Sequence, residues 1–155
     1  MPEGPLNGVK VVDLTHVWAG PLGTRILADL GAEVTKVESP LARGALGQPP
    51  PGSGVFVGGD PGEDPWNRYA VVHKLNRNKK SVAIDLKTPS GREVFLGLVR
   101  EADVVVENFS ARAMRSLDLS FESLRAVNDQ IIYVAMPGYG SYGPYSNWVA
   151  FGPSV

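Results

Sequence analysis

Apolar and polar positions along the chain fall into an alternation of strand-like runs and helical stripes. Residues 9–14 (VKVVDL) form an apolar, β-branched run that predicts a buried strand. Residues 15–20 break that pattern with small and polar side chains. Pro21 suits the first turn of a helix, where its missing N–H has no intrahelical partner to lose. Ile26, Leu27 and Leu30 supply an apolar stripe for that helix, and Gly31 follows as a C-terminal stop. Residues 34–37 open the next strand. Strand, small-residue loop, helix and strand together make a βαβ unit of about 30 residues.

The alternation continues downstream. Residues 81–86 (SVAIDL) read as a third strand. Thr88 is a good N-cap, Pro89 fits the first helical position, and Val94, Phe95, Leu98 and Val99 recur at helical spacing, so a helix is expected to run to Glu101. Residues 102–109 (ADVVVENF) form a nearly continuous apolar strand ending in a polar Asn, as in a parallel sheet covered on both faces. Residues 111–117 and 121–127 read as short helical segments, and residues 131–136 (IIYVAM) as a fifth strand. The expected fold class is therefore α/β, with a parallel sheet and right-handed crossovers. Such sheets bind ligands at the carboxyl ends of their strands. Three loops are expected to converge there, residues 16–20, 108–110 and 138–143, with room for a nucleotide-bearing ligand. Asn108 shares that rim with His16, either as a ligand group or as a turn-former bonding its own backbone.

Two stretches stand outside the alternation. Residues 40–65 hold six prolines and seven glycines. They are expected to be mobile, either ordering as a lid over a ligand or forming a disordered excursion without a role. Residues 66–80 (WNRYAVVHKLNRNKK) are aromatic and then basic. Lys74, Arg77, Lys79 and Lys80 either face phosphates or form a solvated turn, and the solvated turn is the favoured reading.

Composition narrows the classes. A chain of 155 residues builds one domain with a real core. A net charge of −1 gives no argument for nucleic acid or an anionic membrane as partner. The lack of cysteine excludes disulfides, zinc-thiolate sites and thiol nucleophiles together. The start MPEGPLNG has no cleavable signal pattern, and no apolar run approaches the about 20 residues of a membrane span, so a soluble, cytoplasmic protein is expected. The chain closes on AFGPSV with no terminal helix, which reads as a truncation. Neither the G-x-G-x-x-G fingerprint nor the P-loop pattern follows the first strand, which disfavours an ordinary NAD domain and a phosphate-hydrolysing one.

Three segments in order, LNGVKVVDLTHVWAGPLGTRILADLGAEVTKVE, NRNKKSVAIDLKTPSGREVFLGLVREADVVVENF and IIYVAMPGYGSYGPY, closely resemble the family III coenzyme A transferases. That group contains formyl-CoA and carnitine CoA-transferases and, as a branch, the α-methylacyl-CoA racemases. The resemblance covers nearly the whole chain outside residues 40–65. It implies a Rossmann-like parallel sheet flanked by helices, with residues 1–155 as the N-terminal portion of a large CoA-binding domain. The rest of that domain and a smaller second domain would then be absent, and the full protein would be an interlocked homodimer. The implied activity is acyl-CoA:carboxylate CoA transfer between carboxylic acids through an aspartyl-CoA intermediate. The implied partners are an acyl-CoA and a carboxylic acid, with coenzyme A as substrate, no tightly bound cofactor and no metal. The nucleophilic Asp falls beyond the end of this chain, so no catalytic residue is assigned. Asp13, Asp29, Asp85 and Asp103 belong to other motifs and read as strand-end or helix-surface carboxylates.

Within the resemblance, His16 belongs to the CoA-loop motif, and Trp18 and Ala19 match positions beside the CoA thiol and acyl group. Ile84, Asp85, Leu86 and Lys87, with Asn108, Phe109 and Ser110, match segments lining the adenosine and pantetheine part. Backbone N–H groups at the start of the Pro21 helix favour an anion. Lys87 either reaches a phosphate as a point charge or is a helix-edge lysine. Several positions depart from the pattern. Trp18 stands where formyl-CoA transferase has a glutamine, so an indole shapes a different acyl pocket. Ser39 replaces an arginine that contacts CoA and Ser116 falls at another, which leaves Lys74, Arg77, Lys79 or Arg112 for phosphate. Val149 and Gly152 fall at a lysine and a glutamate, so neither formyl nor oxalyl specificity carries over. Racemases have a His-Asp pair, its His one of two bases, where this chain has Phe151 and Gly152. His73 reads as a surface or packed residue. The alternatives are an α-methylacyl-CoA racemase-like isomerase and a non-catalytic CoA- or nucleotide-binding fragment. Alone, the segment is expected to expose apolar surface and to self-associate or fold marginally.

Overall fold

The computed structural model describes residues 4–39, 55–63, 65–110 and 112–150. Their order is β1 (Lys10–Asp13), α1 (Ala19–Asp29), β2 (Glu33–Glu38), α2 (Ala70–Asn76), β3 (Lys79–Ala83), α3 (Pro89–Arg100), β4 (Val104–Glu107), α4 (Ala113–Ser116), α5 (Phe121–Arg125) and β5 (Ile132–Ala135). The five strands form one sheet in the order β3-β2-β1-β4-β5, and every pairing is parallel. The fold is the Rossmann-like α/β sheet that the alternation and the resemblance predict. The chain winds outward from β1 through β2 to β3, then crosses back along α3 to place β4 on the other side of β1. That reversal opens a crevice between the carboxyl ends of β1 and β4, where sheets of this kind hold ligands.

The period of two along each strand divides the core between two faces. Val12, Leu14, Val37 and Val105 pack against Phe95 and Val99 of α3, with Met114 and Leu124 from the next helices. Val11, Val34 and Val106 turn to the other face and meet Ala28 of α1. Phe95 and Val99 are wholly buried, a burial that stabilises by about 1.5–3 kcal/mol for each such side chain. The start of α3 follows its sequence signals. The Thr88 hydroxyl accepts a hydrogen bond from the Gly91 N–H at 3.0 Å, and Pro89 occupies the first helical position.

Helix α1 departs from the expected stripe. Of the expected stripe only Leu27 packs against the core; Ile26 and Leu30 are exposed, whereas Gly20, Pro21, Thr24 and Ala28 are buried. Spaced four apart, Gly20, Thr24 and Ala28 give the helix a small-residue face that seats it close to the sheet. A Cβ on Gly20 would lie 2.4 Å from the Thr15 Cβ, so only glycine fits there. Gly31, at φ 102°, ends the helix as expected.

The basic stretch is a solvated turn only at Arg77 and Asn78, with Lys80 exposed just after it. Residues 70–76 are helical with Leu75 buried, and β3 starts at Lys79, two residues ahead of the predicted run, because Lys79 and Lys80 already pair with Val34 and Thr35. The mobility expected of residues 40–65 falls mainly on residues 40–54 and 64, outside the described ones. Within the same stretch Phe56 makes an antiparallel bridge to Tyr69. At the other edge, Ile132 and Val134 of β5 lie beside Val104 and Val106 and are 59% and 37% exposed, beyond the strands that α1 covers. Apolar surface is open there, as expected for the segment alone. Among the described residues no helix is long and apolar enough to cross a membrane.

Candidate functional site

The loops after β1 and β4 meet at the crevice through one side chain. Asn108 accepts the His16 N–H at Oδ1 (2.7 Å) and donates from Nδ2 to the His16 carbonyl (2.8 Å). It therefore ties two loops together and does not cap its own turn. The His16 ring stacks on Phe109 with centroids 5.1 Å apart. Glu107, buried at the end of β4, fixes the approach to that loop: Oε2 accepts the Phe109 N–H (2.7 Å) and Oε1 the Tyr133 hydroxyl (2.9 Å). Burial pushes the Glu107 carboxyl above its usual range, against these two hydrogen bonds. Burial and the neighbouring Glu107 charge likewise push the Tyr133 hydroxyl up.

Past His16 the loop turns sharply. Val17 adopts φ 68°, a costly conformation for a β-branched residue, and it is exposed. Trp18 follows at the N-cap of α1, 47% exposed, with the Lys74 ammonium of α2 lying 5.6 Å from its ring centroid. Ala19, the first helical residue, is exposed beside it.

Beneath this loop lies a buried charge cluster. Asp13, with no solvent exposure, accepts the Thr15 N–H (2.8 Å) and hydroxyl (2.6 Å) at Oδ1. Its Oδ2 accepts the Thr24 hydroxyl (2.7 Å) and the Lys79 ammonium (2.9 Å). Lys36 Nζ stands 3.7 Å from Oδ1 and donates to the Thr15 carbonyl. Lys79 also donates to the Pro21 carbonyl (3.0 Å) and to Asn76 Oδ1 (2.9 Å). Asp13 is thus a strand-end carboxylate, as expected, but a wholly buried one, and Lys79, its side chain 1% exposed, is not available to a phosphate. Arg77 is committed too, by two bonds to Asp29 at 3.1 and 2.7 Å. Asp29, Asp85 and Asp103 likewise sit at or next to helix or strand ends, Asp103 accepting the Lys10 N–H at 2.8 Å. Arg112 is exposed at the N-cap of α4.

Two ammoniums face the Asp13 carboxylate below the N-terminus of α1, and the Glu38 charge also acts on Lys36. Burial alone raises the Asp13 carboxyl, but Lys36, Lys79 and the Thr15 and Thr24 hydroxyls outweigh it and hold the pKa below its usual value. Burial lowers both lysines, with Asp13 opposing. Burial and then the Lys36 charge lower His16, against Asp13 and Glu38. The imidazole is accordingly neutral at pH 7.

The third constellation lies on the opposite face of the sheet. Ile84 is buried and donates its N–H to the Glu38 carbonyl (2.8 Å). Asp85 accepts the Lys87 N–H (3.0 Å), which turns the chain into α3. Leu86 and the exposed Lys87 then open a groove of about 510 Å³ along α3, lined also by Arg92, Glu93 and Arg100 and, at and just after the end of α4, by Ser116, Leu117 and Asp118. Arg92 reaches across to Asp118 at 2.8 Å. The Ser110 carbonyl accepts the Ala113 N–H (2.8 Å), so the segment after Asn108 leads directly into the groove wall.

The structure therefore clusters His16, Asn108 and Phe109, places Trp18 and Ala19 beside them, and puts Leu86 and Lys87 in the groove. Residues 138–143 follow β5, where Tyr139 meets Trp148 edge-on at 5.8 Å. Sequence reasoning missed Lys36, Glu107 and Thr24. Their signal was a charged or polar residue inside an apolar strand or on the buried face of a helix, where only a partnered group is tolerated. Among the described residues no group of three His, Asp or Glu is arranged to hold a metal ion.

Comparison with known proteins gives a consistent result. Residues 6–155 match CoA-transferase family III. The acyl-CoA transferase of Fusarium pseudograminearum is 40% identical over 151 residues, which are 97% of this chain and 32% of that protein. The succinate–glutarate CoA-transferase of Agrobacterium fabrum is 41% identical over 150 residues, 95% of this chain and 36% of that protein. A crystal structure of a CAIB/BAIF family protein from Brucella suis superposes with a TM-score of 0.82 at 40% identity, covering 98% of this chain and 38% of the other. The chain thus spans about a third of the length of the curated relatives it matches.

Proposed function

The chain belongs to CoA-transferase family III, and from this premise we propose that it forms the coenzyme A half-site of an acyl-CoA:carboxylate CoA-transferase. Residues 1–155 are the N-terminal portion of a larger Rossmann-like domain, in a soluble cytoplasmic enzyme that works as a homodimer. The carrying observation is the Asn108 carboxamide, which joins the His16 loop to the segment that leads into a groove where Lys87, Arg92 and Arg100 stand beside Glu93 and Asp118. Such a surface suits a ligand with a phosphate-rich end and a reactive thiol end. Lys87, Arg92 and Arg100 take the phosphates. Arginines on α3 thereby make up for Ser116 on α4, while Arg77 and Lys79 are committed elsewhere. His16, Trp18 and Ala19 border the thiol end, and Ile84, Asp85, Leu86, Asn108, Phe109 and Ser110 shape the path between.

The chemistry uses an aspartate outside this segment. Its carboxylate attacks the donor thioester carbonyl and expels CoA thiolate, giving a mixed anhydride. The thiolate attacks the aspartyl carbonyl of that anhydride, forming aspartyl-CoA thioester and releasing the donor acid. An acceptor carboxylate reverses both steps and leaves as the new acyl-CoA. Two successive thiolate departures gain from the positive charge buried under the α1 N-terminus, whose N–H groups face the same loop. The related succinate–glutarate CoA-transferase acts on dicarboxylic acids, and a dicarboxylate is the acid class proposed here.

Mass spectrometry of the full-length protein after incubation with succinyl-CoA tests the reading. A CoA-bearing aspartyl peptide that discharges on adding a carboxylate acceptor is expected. Solvent deuterium entering the α-carbon of an α-methylacyl-CoA without any adduct would instead identify a racemase. CoA binding with neither result would leave a binding module.

A further inference from the structure

The Lys74 ammonium is an exposed cation set against the loop after β1. It lies 5.6 Å from the centroid of the Trp18 ring, and among the described residues no carboxylate pairs with it. Its backbone is anchored, because Arg25 Nη1 donates to the Lys74 carbonyl at 3.1 Å, and α2 is packed on α1. The side chain projects back toward the N-terminal end of its helix, as helical side chains do, and so reaches the loop. Trp18 and Lys74 together present an aromatic wall and a positive charge side by side.

This pair stands on the α1 face of the sheet, whereas Lys87, Arg92 and Arg100 line a groove on the α3 face. A ligand whose phosphates lie in that groove crosses the crevice at His16 and Asn108 and meets Lys74 with its far end only. That end is the acyl group. We infer that Lys74, held over Trp18, is a specificity-determining residue that takes the distal carboxylate of a dicarboxylic acyl chain or acceptor, the indole covering the methylenes between its two carboxyl groups. The inference rests on the transferase reading and adds the group that selects diacids. An ammonium is suited to this task because it offers three donors on a flexible stem and follows chains of different length.

The test compares acceptors in the full-length enzyme: glutarate and succinate as diacids, butyrate as the monoacid, with Lys74→Met, Lys74→Arg and Lys74→Glu beside the wild type. Lys74→Met is expected to lower kcat/KM for the diacids about 10-fold or more, the size of one charge-assisted hydrogen bond, mostly through KM. Butyrate turnover and the Kd for free CoA stay within about 2-fold, which also shows that the variant is folded. Lys74→Arg retains most diacid activity and Lys74→Glu loses more than Lys74→Met. Equal losses on all acceptors with weakened CoA binding would assign Lys74 to a CoA phosphate and overturn the inference, as would unchanged diacid selectivity. A wild-type enzyme that transfers CoA to no acid at all would instead overturn the transferase reading beneath it.

Discussion

The cluster around Asp13 and the groove along α3 contain the same kinds of charge and put them to opposite uses. In the cluster, Lys36 and Lys79 are buried, share one carboxylate and spend their hydrogen bonds on the backbone of the β1 loop and α1. In the groove, Lys87 is exposed and Arg92 pairs with the solvent-facing Asp118. A lysine in the first region sets the shape and field of a loop, whereas a cation in the second is free to exchange its weak partner for a phosphate. Burial, and not residue type, decides between the two. Coulomb attraction in the dry cluster is strong but offset by desolvation, while in the wet groove it is weak and easily transferred.

The sharpest way to break this contrast is Asp13→Asn, which takes from two buried ammoniums the carboxylate they share. Chemical denaturation of the full-length protein is expected to show a loss of about 3–5 kcal/mol. The same variant tests the pH dependence. The folded Asp13 pKa is below the unfolded one, so its stabilisation is complete above the unfolded value of about 3.9 and disappears as pH falls through the folded value. The acid limb of stability should flatten in Asp13→Asn, and an unchanged limb would show that the carboxylate is not held by the lysines.

Asn108→Ala comes next, removing both bonds to His16, with an expected loss of about 1–3 kcal/mol and weaker CoA binding in a titration. Arg92→Ala sharpens the contrast from the groove side. Its exposed pair with Asp118 should contribute under about 0.5 kcal/mol to the melt, while CoA affinity falls several-fold. The smallest effect is on His16, whose imidazole pKa should titrate below the usual value in an NMR experiment and move upward in Lys36→Met as one nearby positive charge is removed. Stability carried by His16 is lost as pH falls from about 6.5 through that lowered value, because the unfolded chain takes up the proton first.

Much of the scaffold was legible in the sequence because its signals are local. The β-branched runs gave the strands, Thr88 and Pro89 gave the start of α3, and Gly31 gave the end of α1. The His16 and Asn108 loops were assigned to one rim because parallel strands carry their ligands at one edge. What escaped depends on contacts distant in sequence. Lys79 pairs with Asp13 across 66 positions, and nothing in NRNKKS distinguishes it from its solvated neighbour Lys80. The stripe assigned to Ile26 and Leu30 failed because α1 packs through small residues, and a hydrophobic pattern weights large ones. The groove escaped because Arg92, Arg100 and Ser116 come together only once α3 and α4 are both folded against the sheet.

Calorimetric titration of the full-length protein with CoA, 3′-dephospho-CoA and NAD⁺, in the wild type and in Arg92→Ala, tests the proposed half-site most directly. Tight binding of CoA, weaker binding of dephospho-CoA, a loss of that difference in Arg92→Ala and no response to NAD⁺ are expected. Binding of NAD⁺ in preference to CoA, or CoA binding indifferent to Arg92 and to the 3′-phosphate, would contradict it.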